Sequence, residues 1–77
     1  MEIYIHLHGA LRDKLPPDVK GKTTLQLEEG MTADTVISQF SLRGHIQIAL
    51  NQELIENVDT ILHDGDTLEI FRPAAGG

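Results

Sequence analysis

The sequence predicts a small α+β domain in which one mixed β-sheet packs against a single main helix. Short segments near both ends and in the middle of the chain alternate apolar with polar residues, as half-buried strands do. One segment, from Ala33 to about Phe40, instead carries its apolar residues at helical spacing. Because the chain has 77 residues, we expect one domain with a small core over residues 1–72, followed by a flexible tail at residues 73–77.

The first two strands are predicted at residues 2–8 and 23–27, on either side of a long loop. Gly9 ends the first alternation, and residues 10–15 favour a helical turn. The prolines at positions 16 and 17 are expected to stop that turn, because proline cannot continue a helix from within.

The helix and three more strands follow. Thr32 is a suitable N-cap for the helix. Alternation resumes at residues 46–50, a very short strand is expected around residues 54–55, and a tight turn at residues 64–66 leads into a last strand at residues 67–71. This order resembles the β-grasp, or ubiquitin-like, fold, with four to five strands on one main helix and the first and last strands paired in parallel at the centre.

The composition excludes several classes of function. Twelve acidic residues against six basic ones give a net charge of −6, and the acids are spread along the chain, so no nucleic-acid partner is expected. The chain has no cysteine, which excludes disulfides, thiolate metal sites and a cysteine nucleophile. Because the sequence contains no bilayer-length apolar run and no signal-peptide pattern, we expect a cytoplasmic protein that binds no membrane.

The chain ends in Gly76-Gly77, after the small residues Pro73-Ala74-Ala75. An arm with so few side chains can enter a buried active site in another protein, and glycine adopts backbone angles that are closed to other residues. The ending therefore predicts an arm that presents its terminal carboxylate to an enzyme.

Three stretches resemble one known family. Leu11-Arg12-Asp13 is similar to the Leu-Arg-Glu that members carry after the first strand, and Leu50-Asn51-Gln52-Glu53 is similar to their Val-Asn turn. The segment from Leu62 to Gly77 matches their Leu-x-Asp-Gly-Asp strand and Gly-Gly terminus. The chain thus resembles the MoaD/ThiS family of ubiquitin-like sulfur-carrier proteins over nearly its whole length.

Within that family, Pro73 and the long first loop resemble the small subunits of molybdopterin synthase. Arg72 departs from the second proline that those subunits often carry, and His6 and His8 stand where they favour apolar residues.

The resemblance implies a carrier without catalytic machinery or a bound cofactor of its own. A ubiquitin-activating-type enzyme would use ATP to adenylate the Gly77 carboxylate, and a cysteine desulfurase or rhodanese-like donor would supply sulfur to form a thiocarboxylate. The arm, flexible at Gly76, would then enter the large subunit of molybdopterin synthase and transfer its sulfur to a pterin precursor.

The β-grasp pairing is expected to gather polar-side residues of the strands on one open face of the sheet. An aromatic residue on that face, Phe71, indicates a partner surface. Arg72 is expected to pair with an acidic group of a partner, or to remain solvated. The predicted open-face residues are Tyr4, His6, Gln47, Ala49, Glu69 and Phe71, and the predicted partner contacts are Phe71, Arg72, Pro73, Tyr4, His6 and Ala49.

The chain has four histidines, of which His6 and His8 are the candidate metal ligands. His6 and His8 lie two residues apart on one face, but two imidazoles without a third ligand form a weak site, so we predict two solvated side chains and no metal site. His45 and His63 fall in loops and are assigned no role.

Three alternatives remain open. The chain resembles carriers that serve thiamine thiazole synthesis as well as those for molybdopterin, and a protein modifier would also attach through Gly77. A bare ubiquitin-like interaction module would need neither Gly76 nor Gly77.

Overall fold

A computed structural model describes residues 1–42 and 44–73. These residues form five strands and one α-helix, in the order that the sequence predicts. Their bounds are β1 Glu2–Leu7, β2 Lys22–Gln26, α1 Ala33–Gln39, β3 Gln47–Leu50, β4 Glu53–Ile55 and β5 Thr67–Phe71. The predicted tail beyond Pro73, including Gly76 and Gly77, lies outside the described residues, so the predicted division into domain and tail stays a prediction.

The five strands form a single mixed sheet in the order β2-β1-β5-β3-β4. β1 pairs antiparallel with β2, whereas β1 and β5 pair in parallel with Ile5 opposite Leu68. β3 joins the other side of β5, and β4 closes that edge as a short antiparallel strand. The predicted α+β, β-grasp fold is therefore confirmed, including the parallel pairing of the first and last strands.

One face of the sheet is buried under α1 and the loops. α1 contributes Ala33 and Val36, which are both fully buried. The inward residues of the strands alternate as the sequence predicts, because successive side chains of a strand point to opposite faces. The core cluster consists of Ile3, Ile5, Leu7, Leu11, Ala33, Val36, Leu42, Ile48, Leu62, Leu68 and Ile70.

The long first loop differs in part from the prediction. The helical turn exists as a 3₁₀ helix over Gly9–Lys14, and a second 3₁₀ helix, Pro17–Val19, follows it. Proline stops a helix from within but fits its first position, where no internal hydrogen bond needs its missing N–H. Pro17 therefore begins a new helical turn instead of only ending the previous one. Within the described ranges, no helix combines the length and apolar character that crossing a membrane requires.

The Asn51 turn and the Asp64-Gly65-Asp66 turn are tied together. The Asn51 side chain donates to Oδ1 of Asp66 at 2.9 Å, and its oxygen accepts from the backbone N–H of Thr67 at 2.9 Å. Oδ1 of Asp64 accepts from the backbone N–H of Glu2 at 2.7 Å. The motif residues that carry the family resemblance thus fix the start of β5 against β1 and β3.

Asn51→Ala is expected to lower the free energy of unfolding by about 1–3 kcal/mol, because it removes both side-chain hydrogen bonds. Asn51 also has φ +51°, a left-handed conformation that asparagine tolerates better than alanine does. Urea titration measures the change. Gln52→Ala is the matched control, since Gln52 lies in the same turn, is exposed and has φ +73°. Equal losses in the two variants would contradict the bracing role of Asn51.

Candidate functional site

The candidate site is the sheet face opposite α1, which we call the open face. Residues that pair directly across strands point to the same side of a sheet. His6 lies opposite Glu69, Glu69 opposite Ala49, and Phe71 opposite Gln47. With Tyr4, which lies two residues from His6, these are the six residues that the sequence places on this face. Their contact with a partner stays a prediction.

The apolar members of the open face differ in exposure. Tyr4 is 44% exposed, whereas Ala49 is only 8% exposed and offers a partner little surface. Phe71 is half-buried, and its ring lies nearly perpendicular to that of His8 at a centroid distance of 6.0 Å. Leu54, which pairs with Ala49, is 66% exposed and adds an apolar side chain that the sequence reasoning missed. Its position depends on the β3–β4 register, which a three-residue strand does not reveal by alternation.

The Tyr4 hydroxyl is held by a neighbouring carboxylate. It donates to Oε1 of Glu2 at 2.6 Å, and Gln26 donates to the other carboxylate oxygen at 3.1 Å. The hydrogen bond that the hydroxyl donates to Glu2, with the negative charge of that carboxylate, raises the pKa of Tyr4 above its ordinary value. The hydroxyl therefore stays neutral at physiological pH, while the Tyr4 side chain remains exposed on the open face.

His6, His8 and Glu69 form a compact polar cluster at the centre of the open face. Nε2 of His8 lies 2.8 Å from Oε2 of Glu69, a hydrogen bond in which the ring N–H donates to the carboxylate. Nδ1 of His6 lies 3.8 Å from the same oxygen, and the two imidazole rings lie 3.9 Å apart. The prediction that the histidines are simply solvated is wrong, because the parallel β1–β5 register brings Glu69 against both of them.

The environment of His6 disfavours its charged form. Partial burial, with further contributions from the positive charges of His8 and Lys22, lowers the pKa of His6 below its usual value. Glu69 acts in the opposite direction, and the more distant Arg12 adds to the lowering. The imidazole of His6 is therefore neutral, with a free lone pair, at physiological pH.

A shallow groove of about 440 Å³ runs along the same face beside His6. It lies between β2, β1 and β5 and has both polar and apolar walls. The lining residues are Tyr4, Ile5, His6, Lys22, Thr23, Thr24, Thr67 and Glu69.

Arg72 and Pro73 leave the sheet directly after β5. Nη1 of Arg72 donates to the carbonyl of His45 at a long 3.4 Å, and the side chain is exposed. Arg72 and Pro73 therefore lie directly after the last strand of the sheet, and their contact with a partner stays a prediction. Gly76 and Gly77 lie outside the described residues.

Comparisons with known proteins point to one family. The family model described as the ThiS family matches residues 5–77. A search of curated proteins finds no match. Among solved structures, the chain is similar to one chain of the complex of subunits 1 and 2 of the molybdopterin-converting factor from Helicobacter pylori, at 22% identity and a TM-score of 0.67, with 100% of each chain covered.

Two further structures share the fold. One is the putative subunit 1 of a molybdopterin-converting factor from Pyrococcus furiosus, with 18% identity, a TM-score of 0.77 and coverage of 96% of this chain and 99% of that one. The other is the small archaeal modifier protein 1 from Methanosarcina acetivorans, with 20% identity, a TM-score of 0.69 and coverage of 99% and 96%. The family match spans nearly the whole sequence and the strand order is that of a ubiquitin-like domain, so this chain belongs to the ThiS family.

Proposed function

We propose that this chain is a cytoplasmic sulfur carrier that serves molybdopterin synthesis as the small subunit of a molybdopterin synthase. The observation that carries the proposal is the ThiS-family match, which extends through the Gly76-Gly77 ending. The Pro73 that precedes the tail favours the molybdopterin branch, as does the similar fold of a molybdopterin-converting factor subunit that was solved with its partner subunit.

The proposed chemistry takes place at the Gly77 carboxylate. A carboxylate resists nucleophilic attack, so an activating enzyme first transfers AMP from ATP to it and releases pyrophosphate. Hydrosulfide released by the donor then attacks the carbonyl carbon of this mixed anhydride, so that a C–S bond forms, the C–O bond to AMP breaks, AMP and a proton leave, and Gly77 ends in a thiocarboxylate. The nucleotide site and the sulfur donor belong to partner proteins, and the carrier supplies the acceptor carboxylate and the docking surface.

The open face is the proposed docking surface for the activating enzyme and the large subunit. It presents the exposed Tyr4 ring and the half-buried Phe71 immediately before the tail, so a partner that binds this face also receives the arm. Aromatic residues of this kind commonly dominate the binding energy of an interface.

Intact mass spectrometry tests the proposal. The chain is incubated with an activating enzyme of the ubiquitin-activating type, ATP and a sulfur donor. We expect a mass gain that matches the replacement of one oxygen by sulfur, mapped by fragmentation to Gly77. No gain, with an enzyme proven active on another carrier, would overturn the sulfur-carrier function.

A protein modifier is the second candidate function, because one of the similar structures is named a small archaeal modifier protein. In that case the adenylate forms, but the product is an amide bond between Gly77 and a lysine of another protein. Fragment spectra of lysine-linked adducts from cells separate the two functions, since sulfur transfer leaves no such adduct.

Phe71→Ala is expected to weaken binding to the partner by about 2 kcal/mol, or roughly 30-fold in Kd, while the fold is retained. Titration calorimetry with the large subunit measures the loss. Ile61→Ala is the matched control, because Ile61 is 53% exposed but lies in the loop beside the start of α1. Equal affinities for the two variants would remove the open face from the proposal.

A further inference from the structure

We propose that His6, His8 and Glu69 form a binding site for a divalent first-row transition metal such as Zn²⁺. The inference concerns the open face itself and does not depend on the proposed sulfur chemistry. The third ligand, which the sequence reasoning lacked, is Glu69, and it comes from a strand 61 residues further along the chain from His8.

The separations between the donor atoms suit a metal of this class. One ligand atom from each of the three residues lies within 4.8 Å of the other two. Oε2 of Glu69 lies 2.8 Å from Nε2 of His8 and 3.8 Å from Nδ1 of His6. In a tetrahedral zinc site with bonds of about 2.1 Å, donor atoms lie about 3.4 Å apart. The two measured separations bracket that value, so small side-chain rotations bring the donors into position.

The backbone holds the three residues in place before any metal binds. His6 lies in β1, and His8 follows directly after the end of that strand, two residues further on and on the same side of the sheet. The parallel register sets Glu69 of β5 opposite His6. The backbone N–H of His8 donates to the carbonyl of Ile70 at 3.0 Å, which extends the pairing beyond β1. Sites on central strands are more rigid than sites on loops, so little conformational entropy is lost on metal binding.

The donor set also determines the kind of ion. Two imidazoles and one carboxylate suit zinc and neighbouring transition metals, whereas Mg²⁺ and Ca²⁺ prefer oxygen ligands alone. The side chains are 28–37% exposed, so the cluster is partly dehydrated yet open on its outer side. Three protein ligands leave one coordination position, which faces solvent and takes a water molecule.

Positive charge near the site works against binding. Lys22 pairs with His6 across β1 and β2 and lines the adjacent groove. The charge of Lys22 repels a cation, so Lys22→Gln is expected to tighten Zn²⁺ binding. This increase in affinity is expected only if the metal binds beside Lys22 on the open face.

Zn²⁺ titration of the full chain without an affinity tag tests the inference, with calorimetry for affinity and Co²⁺ absorption for coordination. We expect one ion per chain. Replacing an outer-shell partner of a metal ligand typically costs about 10–100-fold in affinity, so His8→Gln and Glu69→Gln, which remove direct ligands, should each weaken Zn²⁺ binding at least tenfold. Zn²⁺ should raise the unfolding temperature of the native chain by more than that of Glu69→Gln, and Mg²⁺ should raise neither.

His63→Gln is the matched control. His63 faces Asp66 at 3.9 Å, a second histidine–carboxylate pair that offers two donors, although only the histidine is exposed. Its replacement should leave Zn²⁺ affinity unchanged, and circular dichroism verifies that all variants are folded. Absence of Zn²⁺ binding by the native chain, or equal affinity in the native chain and in Glu69→Gln, would overturn the inference. Loss of affinity in His63→Gln alone would overturn it as well.

Discussion

Gly21→Ala is expected to lower the free energy of unfolding by about 3 kcal/mol or more, a large share of the roughly 4–12 kcal/mol typical of a domain of this size. Gly21 has φ +79°, a left-handed conformation that costs alanine about 1–2 kcal/mol. A methyl group there would also overlap the carbonyl oxygen of Leu7 and approach Cγ of Arg12 to 2.8 Å.

The clash with Leu7 cannot be relieved at low cost, because the obstructing atom belongs to the backbone of β1, which is paired with a strand on each side. The backbone N–H of Leu7 also donates to the carbonyl of Gly21 at 2.7 Å. If β1 moved away from the new methyl group, this hydrogen bond would be lost, together with the close packing of Leu7 in the core. Strain and lost pairing therefore add to the conformational cost.

Gly65→Ala separates the cost of the left-handed backbone conformation from the cost of the clash with β1. Gly65 has φ +87°, but a Cβ placed there would meet no atom within 4 Å. We expect this variant to lose only the conformational part, about 1–2 kcal/mol. Urea unfolding, monitored by circular dichroism, measures both variants. If Gly21→Ala costs no more than Gly65→Ala, the loop is able to move and the close approach to β1 is not required.

The same contact explains one part of the family resemblance. Leu11 of the Leu-Arg-Asp stretch is 3% exposed and belongs to the core, and the aliphatic part of Arg12 lies beside Gly21. Both residues therefore pack the first loop against β1. The stretch identifies the fold without marking a site of chemistry.

The elements of the fold were predictable because they depend on local pattern. Alternation of apolar residues places Ile3, Ile5 and Leu7 on one face of β1, whatever strand lies next to it. The short helix was equally predictable from the spacing of its apolar residues. The first N–H groups of a helix have no partner within it and need acceptors elsewhere. The N–H groups of Ala33 and Asp34 donate to loop carbonyls of Thr60 and Val58.

The candidate site was only half predictable, because it depends on which residues meet across strands. The alternation assigns Glu69 and His6 to the polar side of their strands, but it does not say that they lie opposite each other. A shift of one residue in the β1–β5 register would turn Glu69 away from both histidines. Leu54 was missed for the same reason, since its place on the open face follows from its pairing with Ala49.

Removal of Gly77 is expected to reduce sulfur acquisition by about 100-fold or more. A residue spans about 3.5 Å of extended chain, so the new terminal carboxylate of Gly76 would stop that far short of the nucleotide. Reacting atoms must approach to about 3–3.5 Å, and a misplacement of about 1 Å can cost 100-fold in rate. Intact mass spectrometry after incubation with the activating enzyme, ATP and sulfur donor measures the loss.

The controls distinguish loss of reach from loss of folding. β5 ends at Phe71, so the shortened chain retains all five strands and α1 and should unfold at the same temperature as the full chain. Gly77→Ala keeps the length of the arm and adds one methyl group. It should therefore acquire sulfur faster than the shortened chain. The difference in rate between Gly77→Ala and the native chain measures how much space the activating enzyme leaves around the last residue of the arm.

The outcome for the shortened chain also separates the classes of function. A bare interaction module requires no terminal glycine, so partner binding through the open face would persist unchanged and no sulfur would appear on either chain. A carrier and a modifier both lose their chemistry with Gly77, and the lysine-linked adducts described above tell them apart. Sulfur acquired equally by the full and shortened chains would mean that the acceptor is another group, and the assignment of the chemistry to the Gly77 carboxylate would be wrong.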